Sequence, residues 1–470
     1  MSHHQYDIVV IGAGQAAMPL CFALAEKGKR VALVERKHLG GSCANFGCTP
    51  SKAVIASARV AHLARRGSEY GLKIPTVTVD FSAVLEGARA IARESRDGLQ
   101  EDLAAVENPT LLRGHARLEG RDSDGAFRVR IRGGMDAGAL VTAREVVLDT
   151  GTTSRIPPLE GLESVDFLTA ENWLEQSTLP EHLVLLGGGY IGLEMAQFYR
   201  RMGSRVTVID QAERLLSQED AAVSEALLPL LEAEGIDFRL GAEARRVEKG
   251  AGGAIDITVA TREGEESRVS GSHLFVAVGR APNTGDLGLD SVGLELKEDG
   301  IVPVDTRLAT PVKGLWAVGD IRGGPMFTHT SWDDHRVLVS QMLGDGACTA
   351  DRIVPYAVFT DPQVARVGMT EAEAREAGRR LKTGRFEMCH NGHARQFREK
   401  AGFVSVVVDA ETDRLLGATV VSEQAAELVH LYTVLMNADA PYTVIRDAVF
   451  THPTLGEAAH SAIEAVDSPS

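Results

Sequence analysis

The chain has 470 residues, 44% of them hydrophobic and 24% charged, with 48 glycines, which is the composition of a folded protein of two to four domains and excludes a small single module. Its 49 Lys plus Arg stand against 65 Asp plus Glu, and a formal charge of −16 repels phosphate backbones and anionic lipid, so nucleic-acid and membrane partners are not expected. Five cysteines are too few for a disulfide scaffold and are odd in number, which fits a cytoplasmic chain in which a bridged pair would be catalytic.

In chain order, residues 6–11 read as a buried strand, Gly12-Ala13-Gly14-Gln15-Ala16-Ala17 as a glycine turn, the following apolar run to about Lys27 as a helix, and residues 30–35 as a second strand. The 18 uncharged residues from Ile8 to Ala25 are therefore not a signal peptide or a membrane span: no Lys or Arg precedes them, and Gly12, Gly14, Gln15 and Pro19 interrupt them. A fixed offset of 175 residues repeats the unit, carrying Gly12 to Gly187, Gly14 to Gly189, Ala17 to Gly192 and Glu35 to Asp210. Each copy places a tight turn, a close approach of backbone to pyrophosphate, a small packing residue and a terminal acid in the order that a dinucleotide site needs. Glu35 and Asp210 are expected to take ribose hydroxyls, and a carboxylate at the second site favours NADH over NADPH, although Arg214 lies close enough in sequence to take a 2′-phosphate.

Between the two units runs Gly40-Gly41-Ser42-Cys43-Ala44-Asn45-Phe46-Gly47-Cys48-Thr49-Pro50-Ser51-Lys52, leading into an amphipathic helix that continues to about Arg66. Cys48 stands at the mouth of that helix, where the dipole and the Lys52 charge favour a thiolate. A Cys43–Cys48 bridge closes a short loop and would stabilise the fold little, so a redox pair is favoured over a structural disulfide or half a zinc site.

These segments resemble the pyridine nucleotide-disulfide oxidoreductases, together with Leu186-Gly187-Gly188-Gly189-Tyr190-Ile191-Gly192-Leu193-Glu194, Val276-Ala277-Val278-Gly279-Arg280-Ala281-Pro282-Asn283, Gly314-Leu315-Trp316-Ala317-Val318-Gly319-Asp320 and Thr451-His452-Pro453-Thr454-Leu455-Gly456-Glu457. The resemblance implies an α/β fold with two Rossmann-like domains, for FAD and NAD(P), and a C-terminal α+β dimerisation domain. Their expected spans are 1–152 with 283–348 for FAD, 153–282 for NAD(P) and 349–470 for the interface. It implies that Gly12, Gly14, Ala17, Glu35, Gly41, Ser42, Thr150, Gly151, Gly319, Asp320 and His329 surround FAD. Gly187, Gly189, Ile191, Gly192, Asp210, Gly279 and Arg280 are likewise assigned to the nucleotides. Lys52 pairs with Glu194 beside the flavin. His452, oriented by Glu457 and supplied by the partner subunit, serves as the proton shuttle of an obligate homodimer, and its bond to Pro453 is often cis in the family. Electrons then run from NADH through flavin to Cys48, and Cys43, nearer the opening, meets the acceptor.

The C-terminal part is expected to hold antiparallel strands at 403–408 and 415–421 and helices near 371–378, 423–437 and 443–449. Cys21 reads as a core thiol; Cys389, His390 and His393 read as a strand-to-loop edge, and no metal site is expected. The segment Phe327-Thr328-His329-Thr330-Ser331-Trp332-Asp333-Asp334-His335-Arg336 resembles the mercuric-reductase-like branch, while no cysteine follows Cys389. The expected acceptor is therefore a small oxidised thiol, an oxidant or a metal ion. A dihydrolipoyl dehydrogenase and a non-turnover redox sensor are the alternatives.

Overall fold

The computed structural model describes residues 3–467, so the extreme ends of the expected first and last domain spans, residues 1, 2 and 468–470, lie outside the described residues. β1 (His3–Ile11), α1 (Ala17–Glu26) and β2 (Val31–Glu35) form the first repeat, with β1 and β2 parallel and Ile8 opposite Val31. All five residues of β2 are buried, which is why Val31 to Val34 read as an unbroken apolar run rather than an alternating one before Glu35 ends it. α2 (Gly41–Asn45), α3 (Cys48–Arg65) and α4 (Phe81–Ala104) follow, the last started by the Asp80 carboxylate, which accepts from the Ala83 N–H. β3 (Thr110–Arg113), β4 (His115–Arg121), β5 (Phe127–Arg132) and β6 (Leu140–Leu148) complete a sheet ordered β3-β2-β1-β6-β5-β4.

A short strand, β7 (Thr152–Ser154), leads to the second repeat: β8 (His182–Leu186), α5 (Tyr190–Met202), β9 (Arg205–Asp210), α6 (Ala221–Ala233) and β10 (Ile236–Leu240). A meander of β11 (Ala242–Lys249), β12 (Ile255–Thr261) and β13 (Glu266–Gly271) precedes β14 (His273–Val276), which closes the parallel sheet β10-β9-β8-β14. β15 (Arg280–Pro282) pairs antiparallel with β7, and β16 (Leu315–Ala317) lies parallel to β6, so the chain returns to the first sheet after leaving the second.

α7 (Thr328–Leu343) leads to β17 (Tyr356–Val358), β18 (Gln363–Gly368), α8 (Glu371–Glu376), β19 (Leu381–Glu387), α9 (Gly392–Gln396), β20 (Phe403–Asp409) and β21 (Leu415–Ser422). These five strands form an antiparallel sheet, β17-β18-β21-β20-β19, covered by α10 (Ala425–Asn437), α11 (Thr443–Arg446) and α12 (Gly456–Glu464). The helix expected at 443–449 stops at Arg446, and Val449, which extended its apolar pattern, is fully exposed. Val54 and Ala58 of α3, Leu85 of α4 and Leu193 of α5 share one apolar core with β8 and β9, so the helix that bears Cys48 is packed against the second repeat.

Candidate functional site

Both glycine motifs open on one cavity of about 2190 Å³, which also reaches Cys43, Cys48 and Lys52. Gly12 and Gly187 take positive φ, +96° and +106°, as the tight turns require, and no atom lies within 4 Å of where a Cβ on Gly189 would stand. A dinucleotide can therefore reach bare backbone there, as FAD or NAD(P) binding demands. Ile191, Gly41, Ser42, Thr150, Gly151, Gly279, Arg280, Asp320 and His329 border the same space. Ala17, Gly192 and Gly319, expected among the cofactor residues, stand behind it. Ala17 is fully buried, a Cβ on Gly192 would meet the Gly187 carbonyl at 2.0 Å, and Gly319 turns against Asp149 and Ser331. Their small size serves helix-to-strand packing.

The terminal acids do more than the sequence implied. Glu35 Oε2 accepts from the Ala13 N–H at 2.8 Å and Oε1 from the Lys37 N–H at 2.6 Å. In the second repeat Asp210 accepts from the Gly188 N–H and, at 2.8 Å, from the Ala212 N–H. Each acid thus braces its own glycine loop, at matching positions 175 residues apart. Asp320 Oδ2 accepts from the Thr152 hydroxyl at 2.9 Å, and the Arg280 guanidinium holds that threonine through Nε at 2.6 Å.

The helix carrying the redox segment begins earlier than expected. The Ser51 N–H donates to the Gly47 carbonyl at 3.0 Å, so Cys48 is the first residue of α3 and not the residue before it, while Cys43 sits on the one-turn α2. Both sulfurs stand as thiols, Cys48 the more exposed. Both cysteines line the cavity. A hydrogen bond from Cys43, reinforced by the Thr328 hydroxyl at 3.2 Å and the Lys52 charge, draws the Cys48 thiol down to about 6 against the cost of burial and of Glu194. The same bond to Cys48, with burial behind it, pushes Cys43 up. One thiolate and one thiol is the arrangement that disulfide exchange requires.

Lys52 Nζ donates to Glu194 Oε2 at 2.7 Å and lies over the Phe359 ring, while Glu194 Oε1 accepts from the Phe359 N–H at 2.8 Å. His452 Nδ1 is 2.9 Å from Glu457 Oε1, and the other carboxylate oxygen accepts from the Thr454 N–H at 2.8 Å. The His452–Pro453 bond is cis and the imidazole is 75% exposed, on the C-terminal part of the chain and not on the cavity wall. His329 packs: its ring stacks on Phe327 with centroids 5.5 Å apart and Nε2 lies 2.7 Å from the Pro355 carbonyl. Cys21 is buried in the apolar core that α1 shares with β1 and β2, and burial raises its thiol. Cys389 and His390 lie on a short turn before α9, and His393 stacks on Phe397 with centroids 4.2 Å apart.

Several site residues were not singled out in the sequence. Thr328 reaches Cys48 across 280 positions of chain. The rings of Tyr190, Phe327 and Tyr356 stack, Phe327 on Tyr356 at 5.0 Å and Tyr190 on Tyr356 at 5.8 Å. Both tyrosine hydroxyls donate at 2.7 Å to one oxygen of the buried Glu219, whose other oxygen is 3.0 Å from Arg366 Nε. A buried acid with three partners from separate parts of the chain leaves no local pattern to read.

A family model described as "Pyridine nucleotide-disulphide oxidoreductase" matches residues 6–334, and the dimerisation domain of the same description matches residues 354–463. Dihydrolipoyl dehydrogenase of Cupriavidus necator is 33% identical over 98% of this chain and 98% of its own. Mercuric reductase of Streptomyces lividans is 34% identical over 99% of this chain and 97% of its own. Among solved structures, the Cu(II) complex of the HOCl-induced flavoprotein disulfide reductase RclA from Escherichia coli superposes with a TM-score of 0.88 at 29% identity, covering 98% of this chain and 99% of that one.

Proposed function

This chain belongs to the pyridine nucleotide-disulphide oxidoreductases, FAD-dependent enzymes that use pyridine nucleotides, and we propose that it passes electrons from NADH through FAD and the Cys43–Cys48 pair to a small oxidised thiol, an oxidant or a metal ion. The observation that carries this reading is the pairing of a stabilised Cys48 thiolate with a Cys43 thiol on the wall of a cavity that serves both glycine motifs.

In this reading β1, α1 and the Asp320 turn hold FAD, α5 and β9 hold the nicotinamide dinucleotide, and the domains divide at 152/153 and 282/283, at the ribbon of β7 and β15, and at 348/349, after α7. When bound, FAD supplies hydride and electron transfer between the nicotinamide and the cysteines. Lys52 and Glu194, locked together, orient the reacting end. In the oxidised pair the Cys43–Cys48 disulfide would break as Cys48 takes the electron pair, and Cys43 would leave as a thiolate that His452 of the partner subunit, oriented by Glu457, protonates to the thiol that reduces the acceptor. The dimerisation match over residues 354–463 supports a homodimer of this kind. Asp210 borders the cavity whereas Arg214 is not among its lining residues, which supports NADH over NADPH. No helix among the described residues is long and apolar enough to cross a membrane, and the few cysteines support a cytoplasmic setting.

The likeness to RclA and to a mercuric reductase supports a metal ion or oxidant as acceptor, and the likeness to a dihydrolipoyl dehydrogenase keeps the reverse direction as a second reading. The deciding experiment compares nicotinamide turnover of the FAD-loaded protein with dihydrolipoamide plus NAD against NADH plus Cu(II) or Hg(II), with Cys48→Ser as control. Rapid Cys48-dependent oxidation of dihydrolipoamide overturns the proposal. Cys48-dependent NADH consumption on the metal ions supports it.

A further inference from the structure

The two repeats differ at the buried position that follows the strand β6 or β14. In the first, the residue after β6 is Asp149: its N–H donates to the Ile11 carbonyl at 2.8 Å, and its own carbonyl lies where a Cβ on Gly12 would come within 2.3 Å. In the second, the residue after β14 is Ala277, which donates to the Leu186 carbonyl at 2.8 Å and stands 2.4 Å from the same point on Gly187. The backbones are equivalent and the side chains are not. The Asp149 carboxyl is only 6% exposed. Its Oδ2 accepts at 2.9 Å from the N–H of Ala17, the first residue of α1, and its two oxygens fill the space under Gly14, 2.7 and 2.9 Å from a Cβ position there. Oδ1 also lies 3.0 Å from the Cβ position of Gly319, in the turn that carries Asp320. No atom lies within 4 Å of the corresponding Cβ position on Gly189.

We propose that Asp149 is a positioning residue for the flavin site, bracing the first glycine loop and the Asp320 turn from beneath so that this site retains its dinucleotide, while the second site, with Ala277 at the same place, exchanges its own. The inference rests on the assignment of FAD to the first repeat. A carboxyl bonded to the start of α1 and packed against the Gly319 turn, whose N–H is held by Asp334, removes loop motion that binding would otherwise have to freeze, and preorganisation of that kind slows release. An alanine gives the second loop no such side-chain brace, which leaves it held by Asp210 and its backbone bonds.

The charges that face Asp149 fix the form in which it can do this. Asp334 on α7, Asp320 on the turn and Glu35 on β2 all oppose its ionisation, Cys21 on α1 is a neutral neighbour, and Arg322 and Arg352 are occupied on Asp334. Burial, the largest influence, outweighs the Ala17 N–H that favours the anion, and with the three acids added it holds Asp149 toward the neutral acid, which adds no negative charge beside a loop that must accept pyrophosphate. Ionisation at alkaline pH would reverse that and loosen the cofactor.

The test uses the FAD-loaded full chain and reads FAD release from the rise in flavin fluorescence between pH 6 and 10, for the unaltered protein, D149N and D149A. The expected result is release about tenfold faster in D149A, near-normal retention in D149N, and an alkaline acceleration in the unaltered protein that D149N lacks. Equal retention in all three, or an alkaline acceleration undiminished in D149N, overturns the role of Asp149. If D149A does not fold, the pH profiles of the unaltered protein and D149N decide alone. A chain that binds no flavin at all would instead remove the underlying assignment, and with it this inference.

Discussion

Lys52 Nζ and Glu194 Oε2 meet at 2.7 Å, and this pair joins the helix of the redox cysteines to the helix of the second glycine motif. Glu194 is nearly buried, its side chain 7% exposed, and its other oxygen serves the Phe359 N–H. Lys52→Met leaves that carboxylate without its cation. Because Lys52 is about one-third exposed, the expected loss of stability is discounted from a fully buried pair to about 1–2 kcal/mol. Thermal unfolding of the FAD-loaded variant checks the loss, and stopped-flow reduction by NADH should slow by more than the destabilisation explains. An unchanged reduction rate would place the pair in stability alone.

Cys48 in the reduced protein should react with iodoacetamide as a thiolate, the rate rising with pH around a midpoint near 6. The thiolate forms as pH climbs through that value, and the donors that stabilise it are Cys43 first and then Thr328 and Lys52. Thr328→Val removes the hydroxyl at 3.2 Å and should move the midpoint to higher pH with little change in flavin content. A midpoint unmoved by the substitution would leave Thr328 without a part in activating Cys48.

Asp361 binds Arg59 at 2.7 Å and Arg201 at 2.9 Å, closing an ionic network between α3, α5 and the C-terminal sheet. Burial opposes its ionisation, but the two guanidinium groups outweigh burial and hold the carboxyl below the usual carboxylate range. Its folded value is depressed, so its contribution to stability is complete above the unfolded carboxylate value near ~4 and is lost as pH falls through the folded one. Asp361→Asn should cost about 3 kcal/mol at neutral pH and less in acid. Denaturant melts at pH 7 and pH 3 measure both, and equal costs at the two pH values would contradict the linkage.

His452 and Glu457 should matter for the acceptor half of the reaction only. Glu457→Gln loses the carboxylate that accepts from Thr454 and fixes His452 Nδ1, and proton transfer by a positioned base is worth about 10²–10⁴ in rate. Turnover with a disulfide acceptor is expected to fall within that range, with NADH reduction of an artificial dye unaltered. A parallel fall in both rates would show that His452 acts elsewhere.

Asp210→Ser tests the nucleotide preference. Loss of the carboxylate should lower kcat/KM for NADH and raise it for NADPH, changing their ratio by about tenfold or more. A ratio that stays constant would mean that Asp210 braces Gly188 and Ala212 without selecting the ribose.

The repeat was legible because its signal is local: a strand, a glycine turn, a helix and a terminal acid recur at one offset, and each element is buried enough to show its period. Cys43, Cys48 and Lys52 were legible for the same reason, lying within ten residues of one another. The start of α3 was misplaced because Gly47 caps it through its backbone carbonyl, which no side chain announces. α4 and the β4–β6 meander were not anticipated at all, although Phe127, Val129 and Ile131 alternate cleanly. Thr328, Glu219 and Asp149 were beyond reach in principle, since a threonine, a glutamate and an aspartate acquire meaning only when long-range folding sets them against Cys48, Tyr190 and Ala17.

The Glu219 cluster bears on how the enzyme can be rebuilt. Tyr190 and Glu219 come from the second repeat, Phe327 from the stretch that returns to the first sheet, and Tyr356 and Arg366 from the C-terminal sheet. Cutting the chain before Tyr356, or grafting on another protein's last quarter, would strip the buried carboxylate of one phenol and its cation together, at the wall facing the redox pair. Chimeras that swap this region should therefore be spliced to carry Tyr190 and Glu219 along with it, so that the exchangeable part of the molecule is larger than its sheets suggest.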